Sequence, residues 1–70
     1  MKFVYVVIVH HEANVFEQEA HVSDFIHNVC GWYLKTAGEA YNHNDKWESV
    51  MYQARKAGLP VYVTLTRLHS

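Results

Sequence analysis

The fold is decided near the start of the chain by the stretch Phe3-Val4-Tyr5-Val6-Val7-Ile8-Val9. Five of these seven apolar residues are β-branched, and such residues favour an extended, pleated backbone. The stretch is much shorter than the roughly 20 apolar residues of a membrane-spanning helix. It does not alternate with polar residues, so both faces of the strand need cover. The pattern therefore predicts a strand from Phe3 to His10 in the middle of a sheet.

The segment Val15–Val22 fits two structures. With a period of two it is a second strand, joined to the first through a turn at His11–Asn14 that lacks the usual glycine. With a helical period, Asn14 and Glu17 form a capping box and the segment begins a long first helix. We favour the strand, because Ser23-Asp24 is typical of a helix start placed just after it.

Two helices follow. The first is predicted from Asp24 to about Tyr41, with Phe25, Val29 and Tyr33 along its apolar stripe. Its interior glycines, Gly31 and Gly38, suggest that another backbone approaches closely.

The second helix has clearer boundaries. Asp45 with Glu48 makes a capping box at its start. Gly58 followed by Leu59 and Pro60 is typical of a helix end.

The last strand is predicted over Val61–Leu68. Val61, Val63 and Leu65 point to one face of it, and Tyr62 and the threonines point to the other.

These elements predict a single domain over residues 1–70 of the α+β class. The expected order is ββααβ, with a three-stranded, mainly antiparallel sheet, the first strand central, and two helices on one face. A βααβ order with a long first helix is the alternative. Because Met1 leads almost directly into the first strand, we expect a stand-alone small protein.

The amino-acid composition weighs against several functional classes. The chain has 70 residues, half of them apolar, a net charge of −1 and one cysteine, so no disulfide can form within it. The near-zero charge weighs against binding a phosphate backbone. No cleavage site follows the apolar run, so we expect a cytoplasmic protein without a membrane span.

Six histidines are the most unusual feature of the composition. His27 and Cys30 share one face of the first predicted helix, and zinc accepts both nitrogen and sulfur ligands. His21 and His43, or Glu12, could complete the set, which makes a zinc-binding module one alternative. As a core residue, Cys30 would instead have a raised pKa and be inert as a nucleophile. No catalytic motif is present, so we expect no enzymatic activity.

The sheet face opposite the helices is predicted to leave an apolar stripe uncovered. Phe3 or Tyr5 with Tyr62 would lie near it, and Trp32 and Tyr52 fall at the edges of their helical stripes. Large uncovered apolar patches are rare on monomers, and exposed aromatic residues often anchor partners. We therefore predict a non-enzymatic module that binds another protein, as a regulator or inhibitor, and forms a homodimer.

A second alternative is that the aromatic face binds single-stranded nucleic acid by base stacking. Only Lys2 and Arg67 would rim this face, and nucleic-acid platforms normally have more cations. Histidines at a subunit interface would in addition loosen the dimer on acidification.

Overall fold

The computed structural model describes residues 2–68 and confirms the predicted ββααβ order. The sheet is antiparallel, with the strand order β2-β1-β3, so the first strand is central as predicted. The elements are β1 (Lys2–Val9), β2 (Glu12–Phe16), α1 (Glu19–Thr36), α2 (Trp47–Lys56) and β3 (Val61–Leu68). The alternative with a long first helix is not adopted, because Val15 and Phe16 belong to β2. The strand predicted over Val15–Val22 is correct only at these two residues, since α1 already begins at Glu19.

The β1–β2 turn lies earlier than predicted. Only His10 and His11 separate the two strands, and both have positive φ, 51° and 69°. A two-residue hairpin with positive φ at both central positions has the type I′ form, whose twist matches that of the strands. The predicted turn at His11–Asn14 is wrong, because residues 12–14 already pair with β1.

Helix α1 starts and ends earlier than predicted. It begins at Glu19, after Gln18, which makes no side-chain capping bond, and so Ser23-Asp24 lies inside the helix. The early start allows Val22 to enter the core, where it is fully buried. The helix ends at Thr36 rather than Tyr41, because Gly38 has φ of 76° and cannot continue it.

Helix α2 ends as the sequence predicts. Gly58 has φ of 114°, its N–H donates to the Arg55 carbonyl, and the Leu59 N–H donates to the Ala54 carbonyl at 2.9 Å. This pair of bonds is the Schellman arrangement, in which a left-handed residue closes the last turn. Its start differs from the prediction: Lys46 is the N-cap and makes no side-chain capping bond, so the expected Asp45 cap does not form.

The core lies between one sheet face and the two helices. Val7, Val9 and Val61 are the side chains that the sheet contributes to this core. The helices and the turn after α2 add the rest, namely Val22, Ile26, Cys30, Leu34, Val50, Ala54 and Leu59. Fully burying one such aliphatic side chain contributes about 1.5–3 kcal/mol. Both helices therefore cover the face with the odd-numbered residues of β1, and Val4, Val6 and Ile8 lie on the other face.

No helix within residues 2–68 is long and apolar enough to cross a membrane.

Candidate functional site

The exposed apolar side chains concentrate on the pair β1–β3. Phe3, Tyr62, Leu65 and Leu68 are all on this pair, and Leu65 is 55% exposed. Leu65 was predicted to share one face of β3 with Val61 and Val63, and it does share with them the helix side of the sheet. It is nevertheless exposed: within β3 only Val61 is buried and Val63 is half-buried. The end of the sheet that carries Phe3 and Leu65 therefore extends past the helical cover.

The middle of the opposite face is less exposed than expected. Val4 is only 3% exposed, and Val6 and Ile8 are half-buried, although no helix covers this side. Side chains on the flanking strands, such as Val15 and Tyr62, are more than half exposed. The exposed apolar surface of this face thus lies toward the edges of the sheet rather than at its centre.

The outer edge of β3 offers unpaired backbone groups. The His10 N–H donates to the Pro60 carbonyl at 3.1 Å, so even-numbered positions of β1 hydrogen-bond to β3. Their partners in β3 are also even-numbered, Tyr62 opposite Ile8 being one example. Bonding directions alternate along an antiparallel strand, so the N–H and C=O groups of Val63, Leu65 and Arg67 point away from the sheet.

The two edges of the sheet differ in protection. Natural edge strands are kept from pairing by short length, charge, proline or bulges. β2 has only five residues and starts with Glu12, which is exposed. β3 has eight residues, an uninterrupted register with β1, and Arg67 as its one charged residue. β3 is therefore the edge that is open to strand addition.

The predicted aromatic partner-binding residues fall into separate places. Phe3 and Tyr5 lie on the helix side of β1, and Tyr62 lies on the other side of the sheet. They do not form one stacking platform. Trp32 is 68% exposed on α1, beside an open depression that includes His27 and Lys35. Tyr52 and Tyr62, in contrast, line the same groove.

This groove, which we call the α2–β3 groove, lies where α2 ends and β3 begins. It is open to solvent, has a volume of about 470 Å³ and is lined by both tyrosines together with Arg55, Lys56 and Pro60. The Arg55 guanidinium carbon lies 5.0 Å from the centre of the Tyr62 ring. The Lys56 ammonium lies 5.6 Å from the centre of the Tyr52 ring. Each cation is thus within the range of a cation–π contact.

Of the predicted metal ligands, only His27 and His43 come near each other, on the walls of one open depression. Cys30 is fully buried in the core, and burial raises the pKa of its thiol to about 11. No group of three or more His, Cys, Asp or Glu side chains within residues 2–68 could hold a metal ion. His21 is exposed on the first turn of α1, and His43 lies in the loop before α2.

His27 has a different partner from the one predicted. Its Nδ1 lies 2.7 Å from the hydroxyl of Tyr41, and the Tyr41 ring packs against the backbone at Gly31. A Cβ atom at position 31 would be 2.8 Å from Tyr41 Cζ. Gly31 therefore admits a tyrosine ring, not the second backbone that the sequence suggested.

Leu65, Arg55 and Lys56 were not among the candidate site residues predicted from the sequence. Leu65 matched an inward-facing position, and the two cations matched the last turn of a helix, where the dipole favours positive charge. The alternation of side chains along β3 identified its two faces. Which part of the strand stays uncovered depends on how far the helices extend over the sheet.

Comparison with protein-family models, with curated proteins and with solved structures gave no match.

Proposed function

We propose that this protein is a small, non-enzymatic interaction module that forms a homodimer and binds another protein, as a regulator or inhibitor. Its proposed location is the cytoplasm, where a lone buried thiol such as Cys30 stays reduced. The observation that supports self-association best is the β3 edge, which combines outward backbone groups with exposed apolar side chains.

A second copy fits this edge because a two-fold axis can pair β3 with itself. An axis perpendicular to the sheet keeps the helices of both copies on one side. It also places residues that lie on the same face of the sheet opposite each other. If the axis passes through Leu65, this residue lies opposite its own copy. Thr64 then lies opposite Thr66, and the pairing is confined to the central residues of β3, from Val63 to Arg67.

In this register, exposed side chains and outward-pointing backbone groups of β3 gain partners on the second copy. A pair of threonines across two strands contributes about 0.2–1 kcal/mol. The outward N–H and C=O groups of Val63, Leu65 and Arg67 gain partners, with Val63 opposite Arg67. The start of β3 stays outside this pairing, and there Arg55 contacts the Tyr62 ring.

The interface predicts a reversible dimer rather than a permanent one. Standard-size interfaces bury about 800 Å² on each partner, and weaker complexes bury less. A single pair of edge strands belongs to the smaller class. We therefore expect dissociation at roughly micromolar concentrations, where the binding free energy is about 8 kcal/mol.

The test is sedimentation velocity of the wild type and of Leu65→Lys. The substitution places two ammonium groups directly opposite each other at the two-fold axis, which disfavours strand pairing. We expect a concentration-dependent monomer–dimer equilibrium for the wild type and a monomer for the variant, with unchanged far-UV circular dichroism.

The matched control is Val15→Lys, which introduces the same charge at an exposed apolar position of the other edge strand. This variant keeps the wild-type equilibrium if β3 forms the interface. If Val15→Lys dissociates the dimer and Leu65→Lys does not, the β2 side of the sheet is the interface instead. A wild type that stays monomeric up to millimolar concentration contradicts self-association.

The zinc and single-strand alternatives lack comparable support. The described residues bring no set of ligands together, and the aromatic residues proposed for stacking lie on opposite faces of the sheet. None of the histidines within residues 2–68 lies on β3, so the dimer proposed here does not predict dissociation through their protonation.

A further inference from the structure

The α2–β3 groove has a consistent chemical character that the dimer does not use. Its walls present two tyrosine rings, a proline and two cations, and no carboxylate lines it. Within residues 2–68 the one salt bridge joins Lys2 to Glu17, at 2.7 Å. Neither Arg55 nor Lys56 therefore has a carboxylate partner in this part of the chain.

The position of the cations is defined by contacts from both sides of the groove. Arg55 belongs to the layer of helices, and Tyr62 points from β3 to the opposite face of the sheet, so the Arg55 side chain reaches around the sheet edge. Lys56 lies above the ring of Tyr52, its neighbour one turn earlier in α2. These contacts hold the charged groups beside exposed aromatic surface, where they remain available to an anion.

The floor of the groove is well anchored. Leu59 is buried, and the Pro60 carbonyl accepts the hydrogen bond from the His10 N–H. Gly58 is fixed in its left-handed conformation by the bonds that end α2. A floor held by backbone hydrogen bonds, with aromatic side chains and a small number of charged groups around it, is typical of a preformed binding site.

We propose that the α2–β3 groove binds an acidic segment of the partner protein. Carboxylates of the segment pair with Arg55 and Lys56, and an apolar side chain beside them packs against Tyr52, Tyr62 and Pro60. The inference rests on the proposed role in binding another protein, and it specifies the chemistry of that partner. It does not depend on self-association through the centre of β3.

The charge distribution favours a peptide over a nucleic acid. Two cations match two carboxylates, whereas a single strand presents a phosphate at every nucleotide and requires a continuous basic track. The chain has only six lysines and arginines against seven acidic residues, and its net charge is −1. The groove thus provides local positive charge on a molecule that does not attract polyanions as a whole.

The experiment measures fluorescence anisotropy with a fluorescein-labelled peptide of alternating glutamate and leucine. A lysine–leucine peptide and a labelled oligothymidylate are measured in parallel. We expect the acidic peptide to bind, the basic peptide not to bind, and the oligothymidylate to bind more weakly than the acidic peptide. In Arg55→Gln/Lys56→Gln we expect the affinity for the acidic peptide to fall about tenfold or more, since bonds to charged groups are the stronger ones.

The control variant is Lys35→Gln/Lys46→Gln, which removes the same charge at two exposed positions away from the groove. It should keep the wild-type affinity. Amide chemical-shift changes on titration with the acidic peptide should be largest from Tyr52 to Tyr62, a readout that does not depend on any variant.

Three results would overturn the proposal: no binding of the acidic peptide, equal loss in both double variants, or tighter binding of the oligothymidylate. The last result would assign the groove to single-stranded nucleic acid. Sedimentation of Arg55→Gln/Lys56→Gln separates the two proposals, because these substitutions leave the β3 dimer intact. If the variant loses peptide binding but still dimerises, the substitutions have affected the groove and not the dimer interface.

Discussion

At the residue scale, Gly31 shows how a missing side chain determines local packing. The Tyr41 ring occupies the space that a Cβ would need, and its hydroxyl is hydrogen-bonded to His27. Gly31→Ala gains about 1 kcal/mol of helix propensity, whereas overpacking costs about 1–3 kcal/mol. We expect a net loss of roughly 1 kcal/mol in the free energy of unfolding, measured by urea denaturation.

The Tyr41→Ala background tests whether the ring is responsible. With the ring removed, Gly31→Ala should stabilise the protein by about the helix-propensity gain, so the sign of its effect reverses. An equal loss in both backgrounds would mean that the tyrosine contact is not the cause.

Cys30 and Tyr41 show which features of single residues could be predicted from the sequence and which could not. The apolar stripe correctly indicated that Cys30 is a core residue, and its thiol pKa is raised to about 11 by burial. The contact of Tyr41 with Gly31 and His27 could not be predicted, because it depends on how the loop after α1 folds back. No periodic pattern encodes such a path.

At the scale of elements, the β1–β2 hairpin carries a conformational cost. Non-glycine residues in the left-handed region cost about 1–2 kcal/mol, and histidine tolerates it better than most. Asparagine followed by glycine is the preferred pair for a type I′ turn. We expect His10→Asn/His11→Gly to stabilise the protein by about 1 kcal/mol and to raise Tm by about 4–8 °C, measured by thermal unfolding at fixed protein concentration.

The control is His10→Ala/His11→Ala, which removes both imidazoles but keeps the Cβ atoms that disfavour positive φ. It should give no increase in Tm. If the alanine pair raises Tm as much as the asparagine–glycine pair, the gain comes from the loss of the imidazoles and not from the backbone.

The end of α2 was predicted better than either end of α1. Gly58 with Leu59 and Pro60 is a local signal, because left-handed geometry at one residue is enough to stop a helix. The start of α1 at Glu19 is set instead by the burial of Val22 against the rest of the core. Packing of this kind overrides a local cap signal such as Ser23-Asp24, which explains the misplaced boundary.

At the scale of the whole molecule, the layer of helices leaves one end of the sheet uncovered. The molecule extends 44 × 25 × 14 Å, and the end of β1 and β3 that carries Phe3 and Leu65 is exposed. A domain this small buries only about 60% of the surface of its unfolded chain, so uncovered strand surface is costly to its stability. In the proposed dimer, pairing β3 with a second copy would remove its open edge and place this surface in an interface.

Coupling between folding and association gives a prediction for the intact protein. A partner that binds only the folded chain raises the free energy of unfolding by mass action. Tm of the wild type should therefore rise with protein concentration across the micromolar range, as measured by calorimetry. Leu65→Lys should show a lower Tm that does not depend on concentration, and Val15→Lys should keep the wild-type dependence. If Tm of the wild type is constant while sedimentation shows a dimer, the association does not stabilise the fold, and the uncovered strand surface is not what drives it.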